Sequence, residues 1–171
     1  MRTPALMLCL LLGAVAGFGD EQPAVDEQPA VRVEPLDLSG PRPLADQTQQ
    51  AVIRDYLEAW HSLDGALGQN RPDLLNTDFT GSAKDNLTST IHQQTALGVR
   101  ARYQDLSHDV RVVFYSPEGL SVQLVDNVEY NVQLIAQEKV LTTQRVHERY
   151  VVVLTPSEVR WRVRVFQGEP E

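Results

Sequence analysis

The sequence predicts an α+β fold, with N-terminal helices packed on a curved antiparallel sheet of four to six strands. Three observations predict it. From Asp46 onward, apolar residues recur at spacings of three and four, the pattern of a helix with one buried face. From about Arg100, apolar and polar residues alternate instead, and the last such stretch reads Val159-Arg160-Trp161-Arg162-Val163-Arg164-Val165. Side chains on a strand point to opposite faces in turn, so a period of two means one wet face and one buried face. Finally, short turns at Pro117-Glu118-Gly119 and Pro156-Ser157-Glu158 join the alternating stretches into an antiparallel meander.

The first helix is carried by Val52, Tyr56, Ala59, Trp60, Leu63 and Leu67, which form one stripe, widened by Ile53 and Leu57. Arg54, Glu58 and Ser62 lie opposite. The expected span is about residues 45–64, ended by Gly65 or Gly68. A short helical turn is expected over residues 72–76, because proline is tolerated in a first turn. Ser82, three residues before Asp85, suggests a capping box. It opens a second helix striped by Leu87, Ile91 and Thr95 and stopped by Gly98. Strands are expected at 100–104 with 109–115, at 120–135, at 140–154 and at 159–167, with Glu138 and Lys139 in the hairpin between the long middle pair.

The N-terminal part reads differently. Arg2 precedes an apolar run over residues 6–15, too short to span a bilayer, and Ala14-Val15-Ala16 fits a small-residue cleavage pattern. Residues 1–16 are expected to be a signal peptide; the competing reading is an uncleaved anchor holding a membrane-bound scaffold. Cys9, the single cysteine, would leave with the signal, so the core must be stable by burial alone. Residues 20–31 are a tandem hexapeptide, DEQPAV twice, and prolines continue to Pro43. Such a segment has little to bury, so residues 17–44 are expected to be a disordered tether, followed by one domain over 45–171. The net charge of -8, from 15 basic and 23 acidic residues, argues against nucleic acid or anionic membrane as partners.

Two carboxylates fall on apolar faces. Asp126 shares parity with Val122, Leu124, Val128, Tyr130, Val132 and Leu134. Glu148 shares parity with Val146, Tyr150, Val152 and Leu154 on the next strand. Buried carboxylates are candidates for site chemistry. The alternatives are a bulge at Asp126-Asn127 that turns Asp126 to solvent, and an arginine across the strand that pairs with Glu148. His61, His92, His108 and His147 match no zinc spacing and read as structural. Arg160, Arg162 and Arg164 form a ladder expected to pair with acids on the next strand or to guard an edge. Trp60 and Trp161 read as core anchors. Asn86-Leu87-Thr88 is a glycosylation sequon, and no nucleophile elbow, phosphate loop or glycine fingerprint is present.

The long first helix containing Tyr56-Leu57-Glu58-Ala59-Trp60, the short helices and the final Trp161-centred strand resemble the NTF2-like (cystatin-like, SnoaL-like) superfamily. More narrowly, Leu97-Gly98 before Tyr103 and Leu106, Val128-Glu129 before Leu134, and Arg149-Tyr150 before Trp161-Arg162-Val163 look like the IMS domain of the chloroplast-division ARC6 proteins and related bacterial proteins. The resemblance implies a cone whose sheet wraps a helix and leaves a cavity at its open end. Some members are isomerases, cyclases or dehydratases using a carboxylate and a histidine there; many are binding or dimerisation modules. The family's Asp/His pairing is not recognisable in this sequence.

The resulting expectation is an exported, non-catalytic module for protein–protein interaction or small-ligand binding in the cell envelope, secreted or periplasmic. Tyr56, Trp60, Asp126 and Glu148 are the candidate ligand-binding residues. No catalytic residue, metal or cofactor is assigned, and the partner is a protein or a small apolar ligand, with a homodimer as a further option. The alternative is a small-molecule isomerase or hydrolase with Asp126 or Glu148 as the base in the cone.

Overall fold

In the computed structural model, residues 30–34 and 44–169 are described. The expected signal peptide and most of the expected tether lie outside these residues. Within the tether's span, however, Ala30–Val33 forms a strand, β1, rather than an unstructured link. It is followed by helix α1 (Asp46–Gln69), a 3-10 turn (Pro72–Asn76), helix α2 (Gly81–Ala96) and four long strands: β2 (Val99–Tyr115), β3 (Val122–Ala136), β4 (Lys139–Pro156) and β5 (Trp161–Glu169). The strand order is β1-β2-β3-β4-β5; the β1–β2 pair is parallel and the others are antiparallel. The fold is α+β, two helices against one open sheet.

Helix α1 runs past both glycines expected to end it. Ala66 and Leu67, between Gly65 and Gly68, are still buried, so burial continues beyond the expected stop. The helix ends instead at Asn70, whose left-handed backbone (φ 53°) suits asparagine. Its amide Nδ2 donates to the Val99 carbonyl at 2.8 Å and ties the helix end to β2. The expected capping box at Ser82 does not form. Helix α2 starts at Gly81 after Thr80, and Ser82 Oγ donates to the Arg164 carbonyl of β5 at 3.1 Å. Gly98, at φ 66°, makes the turn out of α2 as expected.

Strand β2 is continuous where a gap was expected at residues 105–108. Register shifts between Asp105 and Ser107, and between Val112 and Phe114, insert extra residues. Each extra residue resets the alternation and bends the strand, which hides the strand in the sequence and curves the sheet around α1. The β3–β4 hairpin turns through Gln137 and Glu138, both at positive φ; Lys139 is already paired with Ala136. The core lies between the α1 stripe (Val52, Tyr56, Ala59, Trp60, Leu63) and the concave sheet face (Val110, Val112, Leu124, Val128, Val152, Leu154, Val163). Each of the valine and leucine side chains among these contributes about 1.5–3 kcal/mol through burial.

Two arginines of the ladder find partners other than acids on the next strand. Arg160 lies in the turn before β5 and binds Asp78 at 2.5 Å, a buried carboxylate ahead of α2. Arg162 donates to the carbonyls of Asn76 (2.7 Å) and Phe79 (2.5 Å). Both therefore fasten the helical layer to the sheet instead of pairing along it.

Candidate functional site

The α1 stripe aims Tyr56 and Trp60 at the centre of the concave face, and β3 supplies Asp126 opposite them. Asp126 pairs in the ladder with Val110 on one side and Tyr150 on the other, and it is fully buried. No bulge interrupts the ladder at Asp126 and Asn127, so the solvent-facing alternative is overturned. Asp126 Oδ2 accepts a hydrogen bond from the Tyr56 hydroxyl at 2.8 Å and lies 2.7 Å from His108 Nδ1. Burial, then the charge of Asp126, raises the Tyr56 pKa well above 10, so the phenol stays neutral and donates.

His108, read from the sequence as structural, belongs to this cluster. It comes from β2, where it shares a face with Val110 and Val112 by simple alternation; the bulge between Asp105 and Ser107 shifts that parity relative to Ala101 and Tyr103. Asp126 and His108 therefore form a buried Asp/His pair that the sequence did not reveal. Burial alone lowers the His108 pKa. The carboxylates of Asp105 and Asp126 outweigh it, and the pKa is pushed up to about 9. Asp105 Oδ2 lies 3.8 Å from Nε2, an electrostatic distance and not a hydrogen bond. At neutral pH the ring is an imidazolium held between two acids.

Trp60 fills the middle of the cone. Its ring lies edge-on to His108 at 5.1 Å, to Phe166 at 5.4 Å and to Tyr150 at 5.5 Å, and tilted to Tyr130 at 6.0 Å. Such edge contacts match the aromatic quadrupoles. The space that the cone could have offered near Asp126 is occupied by these rings.

Glu148 sits in a second cluster, half-buried on β4. Its Oε2 accepts from the Tyr130 hydroxyl at 3.0 Å and from the Tyr150 hydroxyl at 2.8 Å. Two phenols thus stand where an arginine partner was the alternative. Burial is the leading cause that raises the pKa of both tyrosines, so both donate. Glu148 has room because residue 168 is glycine: a Cβ there would lie 2.0 Å from Oε1. Tyr103 packs on Tyr130 with ring centroids 5.2 Å apart, and burial followed by the charges of Glu148 and Asp64 pushes its pKa up to about 12. Of the four expected site residues, Tyr56, Trp60 and Asp126 meet in the deep cluster. Glu148 is separate, linked to it through Trp60 and Tyr150.

A groove of about 270 Å³ lies outside the cone, between α1 and the β1–β2 edge. Val31, Arg54, Leu57, Glu58, His61, Asp105 and His108 line it. Among the described residues, His108 Nε2 has no hydrogen-bond partner. Among the described residues, no group of three or more His, Cys, Asp or Glu could hold a metal ion, and no helix is long and apolar enough to cross a membrane.

No family model matches the sequence, and no curated protein matches it. Solved structures do. The intermembrane-space region of the chloroplast protein ARC6 superposes with a TM-score of 0.62 at 15% identity, covering 76% of this chain and 100% of that one. A putative scytalone dehydratase from Novosphingobium aromaticivorans gives 0.52 at 9% identity, covering 74% of this chain and 89% of that one. Aln2 from a Streptomyces species gives 0.50 at 16% identity, covering 75% of this chain and 93% of that one. At such identities the likeness speaks for the fold alone: helices against a curved sheet, the chain has the NTF2-like fold.

Proposed function

We propose that this chain is an exported NTF2-like binding module that takes a small ligand, or a side chain of a protein partner, at the mouth of its cone without transforming it. The observation that carries this reading is the contrast between the two carboxylates. Asp126 is closed in by Tyr56, His108 and the rings around Trp60, and its Oδ2 already accepts two partners. His108 is held as a cation, which removes it as a general base near neutral pH. Glu148 is half-buried and holds neutral phenols only. The signal-like N-terminus supports the export part of the proposal.

A second reading is an isomerase or hydrolase. One observation favours it: His108 Nε2 is unpartnered and lines the groove beside α1, where an imidazolium could serve as a proton donor.

The test is native mass spectrometry of the full chain after gentle purification, paired with a turnover screen on small carbonyl and ester substrates. The expected result is a retained small molecule or protein partner and no turnover. Turnover lost in a folded Asp126→Asn or His108→Gln variant would overturn the binding-module reading.

A further inference from the structure

Several carboxylates of this fold are matched with cations. Asp55 faces Arg54 at 2.8 Å, Asp78 faces Arg160 at 2.5 Å and Asp126 faces His108 at 2.7 Å. Glu129 pairs with Arg145 and His147. Among the described residues, Glu148 has no such partner. It is half-buried, yet its hydrogen bonds come from two phenols, and no cationic side chain pairs with it among the described residues. A carboxylate taken partly out of water without a counter-charge is costly unless a cation joins it.

What surrounds Glu148 is aromatic. Tyr130 and Tyr150 bond to it, Tyr103 lies tilted against Tyr130, and Phe166 stacks on Tyr150 at 4.5 Å. The charges of Glu148 and Asp64 both reach Tyr103, so the mouth carries two acids. Asp64 accepts the Tyr103 backbone N–H at 2.8 Å, and burial raises its pKa. Aromatic faces attract cations through their quadrupole, and an adjacent carboxylate adds direct charge. Metal ions need several oxygen or nitrogen donors, and no such group is present among the described residues. A bulky, weakly hydrated organic cation needs only ring faces and one counter-charge.

We infer that the mouth of the cone binds an organic ammonium group, with Glu148 as its counter-ion and Tyr103, Tyr130 and Tyr150 as the aromatic wall. The inference rests on the binding-module reading and gives it a ligand class. Gly168 belongs to the site because any side chain there would push Glu148 aside.

The test uses the full chain with carbon-13-labelled tyrosine, titrated with choline chloride at constant ionic strength. A parallel titration uses 3,3-dimethylbutan-1-ol, the uncharged isostere of choline. The expected result is saturable shifts of the Tyr103, Tyr130 and Tyr150 rings with choline, and affinity for the isostere weaker by about tenfold. Glu148→Gln should lose about tenfold toward choline, while Glu129→Gln, an acid on the other face, should lose none. Equal affinity for the alcohol would overturn the ammonium assignment and leave the binding module standing. No saturable shift with either compound would overturn the mouth as a site for this ligand class. The comparison of the two ligands needs no variant, so it decides even where Glu148→Gln fails to fold.

Discussion

Asp126 and His108 sit on neighbouring strands, fully buried, with Oδ2 and Nδ1 2.7 Å apart. The pair faces α1, which closes it with the hydroxyl of Tyr56. An imidazolium, a carboxylate and a phenol thus meet at Asp126 Oδ2 where the core is deepest, while Asp126 Oδ1 and His108 Nε2 have no hydrogen bond among the described residues. Such a network is stabilising only while it is whole.

Asp126→Asn is therefore expected to cost about 3 kcal/mol, because it strands the His108 charge in the core. Replacing the whole network with apolar groups, as Tyr56→Phe, His108→Leu and Asp126→Leu together, should cost less than half of that. Urea unfolding of the two variants checks the order. A single variant as stable as the wild type would contradict the pairing.

Stability should fall as pH rises above neutral. The folded-state pKa of His108, about 9, lies above its ordinary 6.5. A raised folded-state value means the contribution is complete below pH 6.5 and is lost as pH climbs through 9. The urea midpoint of the wild type should drop between those values, and His108→Gln should lack that component. A wild-type midpoint unchanged from pH 6.5 to 9 would refute it.

Gly168→Ala should separate Glu148 from its tyrosines. The added Cβ falls 2.0 Å from Glu148 Oε1. The carboxylate is the far end of a flexible chain, so it swings away at a stability cost of about 1 kcal/mol. The Tyr130 and Tyr150 ring resonances should shift, while His108 keeps its titration midpoint. Unshifted tyrosines would show that Glu148 does not sit against residue 168.

The β3–β4 turn should gain stability from the residues its backbone asks for. Gln137 and Glu138 have φ of 47° and 63°, a geometry that favours asparagine and glycine. Gln137→Asn with Glu138→Gly should stabilise by about 1 kcal/mol, even though the exposed Arg100–Glu138 pair is lost. Thermal unfolding reads this directly; a lowered midpoint would count against the turn.

Much of the fold was legible because its periods are long and regular. The stripe from Val52 to Leu67 marks α1, and the alternation through Leu124, Asp126 and Val128 marks the buried face of β3. The breaks came where local rules were overridden. Bulges at Asp105–Ser107 shift the parity of β2, so His108 reads as loop although it shares the buried face with Val110. Gly65 and Gly68 lie inside a helix whose burial continues past them. The four residues of β1 are too few to show a period against a proline-rich background. The partners of Arg160 and of Glu148 depend on how separate elements meet, through Asp78 and through Tyr130, and no local pattern encodes that. Trp60, Tyr56 and Asp126 could be grouped from parity; the bond of Asp126 to His108 could not.

The contrast between a sealed Asp126 and an open Glu148 is tested most directly by side-chain NMR of both carboxyl groups in one sample, through a screen of small amines and apolar ligands. The predicted result is ligand-dependent shifts at Glu148 and its tyrosines, with Asp126 and the His108 ring unmoved. Shifts centred on Asp126 and His108, with Glu148 silent, would place the working site in the deep cluster and contradict the binding-module reading.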